Sequence, residues 1–151
     1  MKSVLVMLLF CIFANSEKRY SKTYFSNGKT KEEGWVLVNL KTDYWYVYFE
    51  NGKVKEEGNY QNGVKNKYWK FYDENGQKKM EGHYNKGIAE AWWIFYKNGK
   101  LASEIHFKDG KKDGLALLYN NGHLKKAEKY AADKKTGEWT DYAAYQRDNN
   151  P

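Results

Sequence analysis

The chain has 151 residues, enough for one domain, and carries a formal net charge of +7, with 14 Tyr and 6 Trp among its residues. Its one cysteine is Cys11, so the chain beyond that point has no disulfide, thiol nucleophile or cysteine-based metal site. The two arginines, Arg19 and Arg147, lie near the ends, so the guanidinium groups that grip phosphate are missing from the middle and nucleic acid is not expected as a partner.

Residues 1–16 are predicted to be a secretory signal peptide. Lys2 supplies a positive charge, Val4 to Ala14 is an apolar run, and Ala14-Asn15-Ser16 offers small residues before Glu17. The apolar run is shorter than the about 20 residues that span a bilayer. We therefore expect a repeat domain over residues 17–151 that is secreted or held in the periplasm or cell envelope, and loss of Lys2 takes the charge from +7 to +6.

Two alternatives to simple secretion stay open. Cys11 follows an apolar stretch and could be the acylated residue of a lipoprotein, although Phe10 occupies the place where lipoprotein signals have a small residue. The leader could also remain uncleaved as an anchor.

The dipeptide Asn-Gly recurs five times, at steps of 24, 24, 23 and 23 residues. Both residues accept the positive φ of a two-residue type I′ turn, which makes this dipeptide the strongest short hairpin signal. Each repeat is therefore predicted to be one β-hairpin. The five pairs are Asn27-Gly28, Asn51-Gly52, Asn75-Gly76, Asn98-Gly99 and Asn121-Gly122.

The segments that flank these turns are predicted to be strands. Tyr44–Phe49, Tyr68–Tyr72 and Trp92–Tyr96 lie upstream and are rich in aromatic and β-branched residues. A second turn, expected to be looser, follows each downstream strand at Asn62-Gly63, Lys86-Gly87 and Asp109-Gly110.

A fixed interval of eleven residues crosses the second turn and joins a glycine to a tryptophan. Two degenerate copies keep the interval while changing the residues. The pairs are Gly34/Trp45, Gly58/Trp69, Gly82/Trp93, Ile105/Ala116 and Glu128/Trp139.

These residues resemble the MORN-repeat variant of the YwqK-like antitoxin family, whose unit reads roughly Asn-Gly-Lys-x-Lys-x-Glu-Gly-x-Tyr-x-x-Gly-x-x-x-Gly-x-Trp-x-x-Tyr. The best match runs from Asn51 to Tyr72, and recognisable copies run from about Tyr20 to Tyr142. Atypical end copies, such as the first with Ser21 in the Trp column, are expected of a repeat array because they cap it.

The expected fold is all-β, an elongated antiparallel meander of tandem β-hairpin, MORN-like repeats. We expect about ten strands in four full hairpins and two partial ones. The segment Tyr142–Tyr145 is predicted to cover the last strand, and a polar tail is predicted from Gln146.

Alternation along the strands separates the aromatic residues onto two faces. The Trp45, Trp69 and Trp93 stripe, completed by Tyr60, Tyr84, Phe107 and Tyr130, is interpreted as core, with a groove for a partner's side chains as the alternative. The opposite, tyrosine-rich face is expected to contact a partner. Its candidate residues are Tyr44, Tyr46, Tyr68, Tyr72, Trp92 and Tyr96.

The ionisable columns do not predict catalysis, a cofactor or a metal. Glu33, Glu57, Glu81 and Glu104 recur one repeat apart, and we expect them to pair with lysines across strands rather than to act as an acid and base. His83, His106 and His123 lack neighbouring carboxylate or thiolate ligands in the repeat.

We therefore expect a non-enzymatic scaffold that binds a partner protein. The resemblance implies an antitoxin or immunity role, in which the partner is a toxin. The alternative is an envelope-associated structural module that binds anionic lipid or cell-wall polymer through a lysine-rich face. The simplest reading of the lysines is that they keep the strands soluble and discourage edge-to-edge pairing. Oligomeric state stays open.

Overall fold

The computed structural model describes residues 17–149, so the predicted signal peptide and Cys11 lie outside the described residues. Within that range eleven strands form one antiparallel sheet in chain order, and a short helix follows. The elements are β1 (Arg19–Tyr24), β2 (Thr30–Leu37), β3 (Leu40–Tyr48), β4 (Val54–Gln61), β5 (Val64–Tyr72), β6 (Lys78–Asn85), β7 (Ile88–Lys97), β8 (Lys100–Lys108), β9 (Lys111–Asn120), β10 (His123–Ala131), β11 (Lys134–Trp139) and α1 (Tyr142–Asn149).

The predicted all-β meander of tandem hairpins is confirmed, with eleven strands in place of about ten. The predicted polar tail is wrong, because Gln146 lies inside α1. Asp141 accounts for the helix start: its Oδ1 accepts a hydrogen bond of 2.7 Å from the Ala144 backbone N–H, as an N-cap residue does. Tyr145 packs edge-on against Trp139 of β11, with ring centroids 5.3 Å apart, so the segment does cover the last strand.

The hairpin turns contain either two or three residues, and several of them differ from the predicted type. At Asn27, Asn51 and Asn75 only the following glycine has positive φ. In the first of these turns the Gly28 N–H donates to the Phe25 carbonyl at 3.0 Å, and the Phe25 N–H donates to the Lys29 carbonyl at 2.8 Å. This is a three-residue loop, a type I turn closed by a glycine bulge. The type I′ prediction is therefore wrong for these three turns.

The last two Asn-Gly turns are type I′, since Asn98 and Asn121 have positive φ like the glycines after them. A two-residue loop is one residue shorter than a three-residue loop. This difference explains why the repeat interval falls from 24 to 23 residues after the third turn.

The turns predicted to be looser are also tight two-residue turns. Asn62 and Gly63 have φ of 50° and 80°, and Gln61 pairs directly with Val64. Each such turn is held by the repeat before it: the Gly63 N–H donates to the Lys41 carbonyl at 2.9 Å, and the equivalent bonds recur at Gly87 and Gly110. This contact helps non-glycine residues to tolerate positive φ there.

Strands β3, β5, β7 and β9 each contain a bulge of two residues that bends the strand. On β5 the pairing steps from Gly58↔Trp69 to Asn59↔Asn66, so Lys67 and the residue after it have no partner on β4. Lys67 has a positive φ of 61°, and the equivalent residues on the other three strands also have positive φ. The bends allow a single sheet to enclose side chains on one face.

The predicted core is confirmed. Trp45, Trp69 and Trp93 are 2%, 0% and 3% exposed. Tyr60 and Tyr84 stand edge-on to Trp69, with ring centroids 5.0 and 6.3 Å away. The indole N–H of Trp69 donates to the Asn59 carbonyl at 2.9 Å, so the buried polar atom is satisfied.

The last hairpin departs from the repeat. The eleven-residue interval persists there, but Glu128 pairs with Glu138 rather than with Trp139. The bulge on β11 contains one extra residue, Thr136, instead of two. A shift of one residue moves a side chain to the other side of a sheet, so Trp139 lies on the face opposite the tryptophan core.

Candidate partner-binding surface

The tyrosine face is the side of β3–β9 opposite Trp45, Trp69 and Trp93. All six predicted contact residues lie on it, because each alternates with a tryptophan-face residue along its strand. The rings of Tyr44 and Tyr46 lie 5.2 Å apart, and those of Tyr46 and Tyr48 lie 6.3 Å apart. Aromatic side chains therefore follow one another along β3 in direct contact.

The glutamate column shares this face and accepts hydrogen bonds from tyrosine hydroxyls. In each bond the tyrosine lies fifteen residues after the glutamate. The bonds run from Tyr48 to Glu33 at 2.6 Å, Tyr72 to Glu57 at 2.6 Å, Tyr96 to Glu81 at 2.6 Å and Tyr119 to Glu104 at 3.0 Å.

For Glu57 and Glu81 a second tyrosine lies near the carboxylate, on the strand that precedes the strand of the glutamate. Burial raises the pKa of Tyr44 to about 12, helped by the charge of Glu57 and a hydrogen bond to it. Burial together with Glu81 raises the pKa of Tyr68 to about 12 in the same way. Glu57 and Glu81 thus each influence two tyrosines, and the hydrogen bonds at 2.6 Å hold the rings of Tyr72 and Tyr96 in place.

Lysines complete the environment of the glutamates. Ion pairs join Glu33 to Lys22 at 3.0 Å and Glu81 to Lys78 at 2.9 Å, and a longer one joins Glu57 to Lys70 at 3.8 Å. The expected cross-strand lysine partners are therefore confirmed at Glu33 and Glu57, whereas the partner of Glu81 lies three residues earlier on the same strand.

Glu81 shows how these contacts balance its burial. It is 6% exposed, and burial opposes its ionisation. Hydrogen bonds from Tyr96 and Lys78 outweigh that effect, so the pKa of the carboxyl is lowered. The ionised form is thus the stable one in the folded protein.

The tyrosine–glutamate bonds were missed by sequence reasoning, although a signal was present. The fifteen-residue spacing from Glu to Tyr occurs four times in the chain, and the eleven-residue spacing from glycine or its replacement to the Trp column occurs five times. The spacing could not be read as a contact until the two-residue bulges were known, since they set which side chains lie diagonally across neighbouring strands.

Trp92 is the most exposed of the six candidates, at 41%, while the five tyrosines are half-buried or nearly so. Its ring stands edge-on to His106 at 5.4 Å, and Tyr68 meets His83 in the same way at 4.8 Å. Two of the histidines therefore lie within the aromatic surface. Among residues 17–149 no group of three or more His, Cys, Asp or Glu is placed to hold a metal ion.

The lysines are not gathered on one face of the sheet. Lys41 and Lys65 lie over the rings of Trp45 and Trp69, at 4.3 and 4.1 Å, on the tryptophan side. Other lysines pair with the glutamate column on the tyrosine side. Exposed lysines without an ion pair among residues 17–149 lie at both turn edges of the sheet, and several of them line the edge formed by the Asn-Gly turns, which we call the lysine edge. They include Lys29, Lys31, Lys53, Lys55, Lys79 and Lys100.

Comparison with known proteins supports the repeat assignment. Residues 44–62, 65–86 and 94–109 match the family model described as the MORN repeat variant. No curated protein matches the chain. Each matched segment includes a strand that precedes an Asn-Gly turn or the strand that follows it, as in the unit deduced from the sequence. Three of the hairpin repeats therefore match the MORN repeat variant, a type of repeat that is in general non-catalytic.

Proposed function

We propose that this chain is a non-catalytic scaffold that binds a partner protein through its tyrosine face, in the role of an antitoxin or immunity protein. The observation that carries the proposal is the set of aromatic side chains held in place by the glutamate column. Tyr72 and Tyr96 cannot rotate away without breaking hydrogen bonds of 2.6 Å to the carboxylates of Glu57 and Glu81. A surface ordered before binding loses less entropy on association.

The size and composition of the face suit a protein partner. Strands β3 to β8 are six neighbouring strands, so at about 4.8 Å per spacing they make a surface roughly 24 Å wide. A standard interface covers about 800 Å² per partner, which is a patch roughly 28 Å across. The width of the face is therefore on the scale of such an interface. Tyrosine and tryptophan are also the residues most enriched at interface positions that dominate binding energy.

The resemblance to the YwqK-like antitoxin family, together with the predicted leader, directs the proposal further. It suggests a partner that is a toxin acting in the envelope or outside the cell. Neutralisation would require no chemistry from this chain, only occupation of the toxin's surface.

The proposal is tested with a candidate toxin encoded by a neighbouring reading frame. Its product would be expressed in host cells with and without this chain, and growth and complex formation would be measured. We expect growth to be restored by the wild-type chain and lost with Trp92→Ala. Tyr24→Ala is the matched control, because Tyr24 is 58% exposed on β1 and lies outside the candidate set. A partner bound equally well by both variants would exclude the tyrosine face.

The lysine edge favours a second candidate, an envelope module that binds anionic lipid or cell-wall polymer. Equivalent lysines such as Lys29 and Lys53 are two strands apart, about 9.5 Å, so the edge presents a regular row of cations. Salt separates the two candidates. Binding through exposed lysines should fall steeply as ionic strength rises, whereas an interface centred on Trp92 and its neighbours should persist.

A further inference from the structure

A cavity of about 420 Å³ lies between α1 and the C-terminal end of the tyrosine face. Its walls are almost entirely apolar, which distinguishes it from the rest of that face. The side chains that form them include Leu115, Leu117, Leu124, Ala127, Trp139 and Tyr145. The volume falls within the about 300–1,000 Å³ typical of small-molecule sites.

The sequence changes character where the cavity begins. Ala127 occupies the column that holds Glu33, Glu57, Glu81 and Glu104 in the earlier repeats, so the carboxylate is absent. Leu115 replaces the aromatic residues of the column Tyr44, Tyr68 and Trp92. Leu117 replaces Tyr46, Lys70 and Ile94. The polar network of the tyrosine face therefore ends at β9, and an aliphatic floor takes its place.

The altered register of the last hairpin provides the wall. Trp139 lies on this face only because the bulge on β11 is one residue shorter than its counterparts. Trp139 pairs with Ala127 across the two strands. The indole N–H of Trp139 donates to Asp148 of α1 at 2.7 Å, which ties the helix to the wall. Among the described residues the helix contacts the sheet mainly along β11, and its Tyr145 lines the cavity.

The charged groups at the rim are Asp141, Lys126 and Lys125. Asp141 is engaged by the helix N-terminus through its 2.7 Å bond from the Ala144 N–H. Lys126 is paired with Glu128 at 2.8 Å and with Glu138 at 3.4 Å. Lys125 is exposed at the bulge of β10 and has no ion pair among residues 17–149. It is thus the cation of the rim whose charge is not compensated.

We propose that this cavity binds the alkyl chain of an anionic amphiphile, with the head group beside the Lys125 ammonium group. The ligand class is a single medium-length alkyl chain that ends in a carboxylate or phosphate. This site is separate from the partner contacts at Trp92 and stands or falls independently of them.

Calorimetric titration of residues 17–151 with octanoate, decanoate and dodecanoate tests the chain-length dependence. Each added CH₂ that enters the cavity should strengthen binding about fourfold. Decyltrimethylammonium should bind at least about tenfold more weakly than decanoate, since its head group carries the same charge as Lys125. Equal affinity for the two head groups, or no saturable binding of any chain, would overturn the proposal.

Two variants with matched controls locate the site. Ala127→Phe fills the cavity and should weaken decanoate binding at least about tenfold, whereas Val54→Phe, on the same face outside the cavity, should not. Lys125→Glu reverses the exposed rim charge and should weaken binding several-fold, and Lys55→Glu, at the equivalent position of an earlier repeat, should not. The Lys125→Glu result decides the matter if Ala127→Phe fails to fold. Unchanged binding would refute the site.

Phosphatidylglycerol vesicles distinguish the sources of the ligand. Binding of decanoate without binding to vesicles assigns a free amphiphile. Vesicle binding that is lost in Lys125→Glu, and kept in Lys55→Glu, assigns a chain drawn from a bilayer.

Discussion

The indole ring of Trp69 lies directly over the α-carbon of Gly58, its partner across the strand pair. A Cβ atom on Gly58 would lie 2.4 Å from the ring, and the corresponding distances in the neighbouring repeats are 2.4 and 2.3 Å. Where the ring is absent, at the buried Ala116, the facing residue is Ile105 instead of glycine. The glycine is therefore required by the tryptophan ring, and the eleven-residue interval between them places the two residues directly opposite each other on neighbouring strands.

Gly58→Ala should destabilise the protein by about 1–3 kcal/mol, because the new methyl group collides with a ring that is fully buried. Chemical denaturation measures the change. In a Trp69→Ala background the same substitution should cost far less, since the colliding atoms are gone. Additive effects of the two substitutions would contradict the steric account.

The two kinds of Asn-Gly turn should respond differently to the loss of asparagine. Asn98 has a positive φ of 52°, which alanine adopts poorly, whereas Asn75 does not have positive φ. We expect Asn98→Ala to cost about 1 kcal/mol or more and Asn75→Ala clearly less. Gly76→Val should still be costly, by about 1–3 kcal/mol, because Gly76 has a φ of +82°. Thermal melts of the three variants compare them, and equal losses at Asn75 and Asn98 would refute the assignment of turn types.

The sheet order could be predicted from the sequence because the Asn-Gly interval and the Gly–Trp interval both repeat. The bulges could not, since Asp43, Lys67 and Ala91 adopt positive φ without a sequence signal for it. The tyrosine–glutamate contacts depend on those bulges through the register, whereas the turn types follow from the lengths of the loops. Helix α1 was missed because its polar sequence, with Gln146 and Arg147, gives it little amphipathic character.

Tyr72→Phe should reveal the worth of one tyrosine–glutamate bond. The substitution removes the hydroxyl that donates to Glu57 at 2.6 Å and leaves the ring in place. The expected loss is about 1.5–3 kcal/mol, the range for a hydrogen bond to a charged group. Tyr24→Phe, at an exposed position on β1, is the control and should change the unfolding free energy little. Indistinguishable denaturation midpoints for the two variants would show that the bond does not stabilise the face.

Glu128 should make stability depend on pH in the acid range. Its bond from Lys126 outweighs its burial and, with a 2.8 Å bond from Tyr130, lowers the pKa of the carboxyl from 4.5 to about 2. A carboxyl with a lowered pKa contributes stability that is present above its unfolded-state pKa and lost as pH falls through the folded-state pKa. Stability should therefore fall between about pH 4.5 and pH 2. Glu128→Gln should be less stable at pH 7 and show a flatter denaturation profile in that window; an unchanged slope would argue against this origin.

Trp69 and Trp92 allow core and contact roles to be separated with the same kind of substitution. Trp69→Ala should cost about 3–5 kcal/mol of stability, because its side chain is 0% exposed. Trp92→Ala should leave the melt nearly unchanged, since its side chain is 41% exposed, while weakening partner affinity by at least about 2 kcal/mol. Trp92 is a cleaner probe of the tyrosine face than Tyr68, which is less exposed and whose ring also packs against His83. Thermal melts and partner titrations of both variants make the comparison, and a stable Trp69→Ala protein that has lost binding would reverse the roles of the two faces.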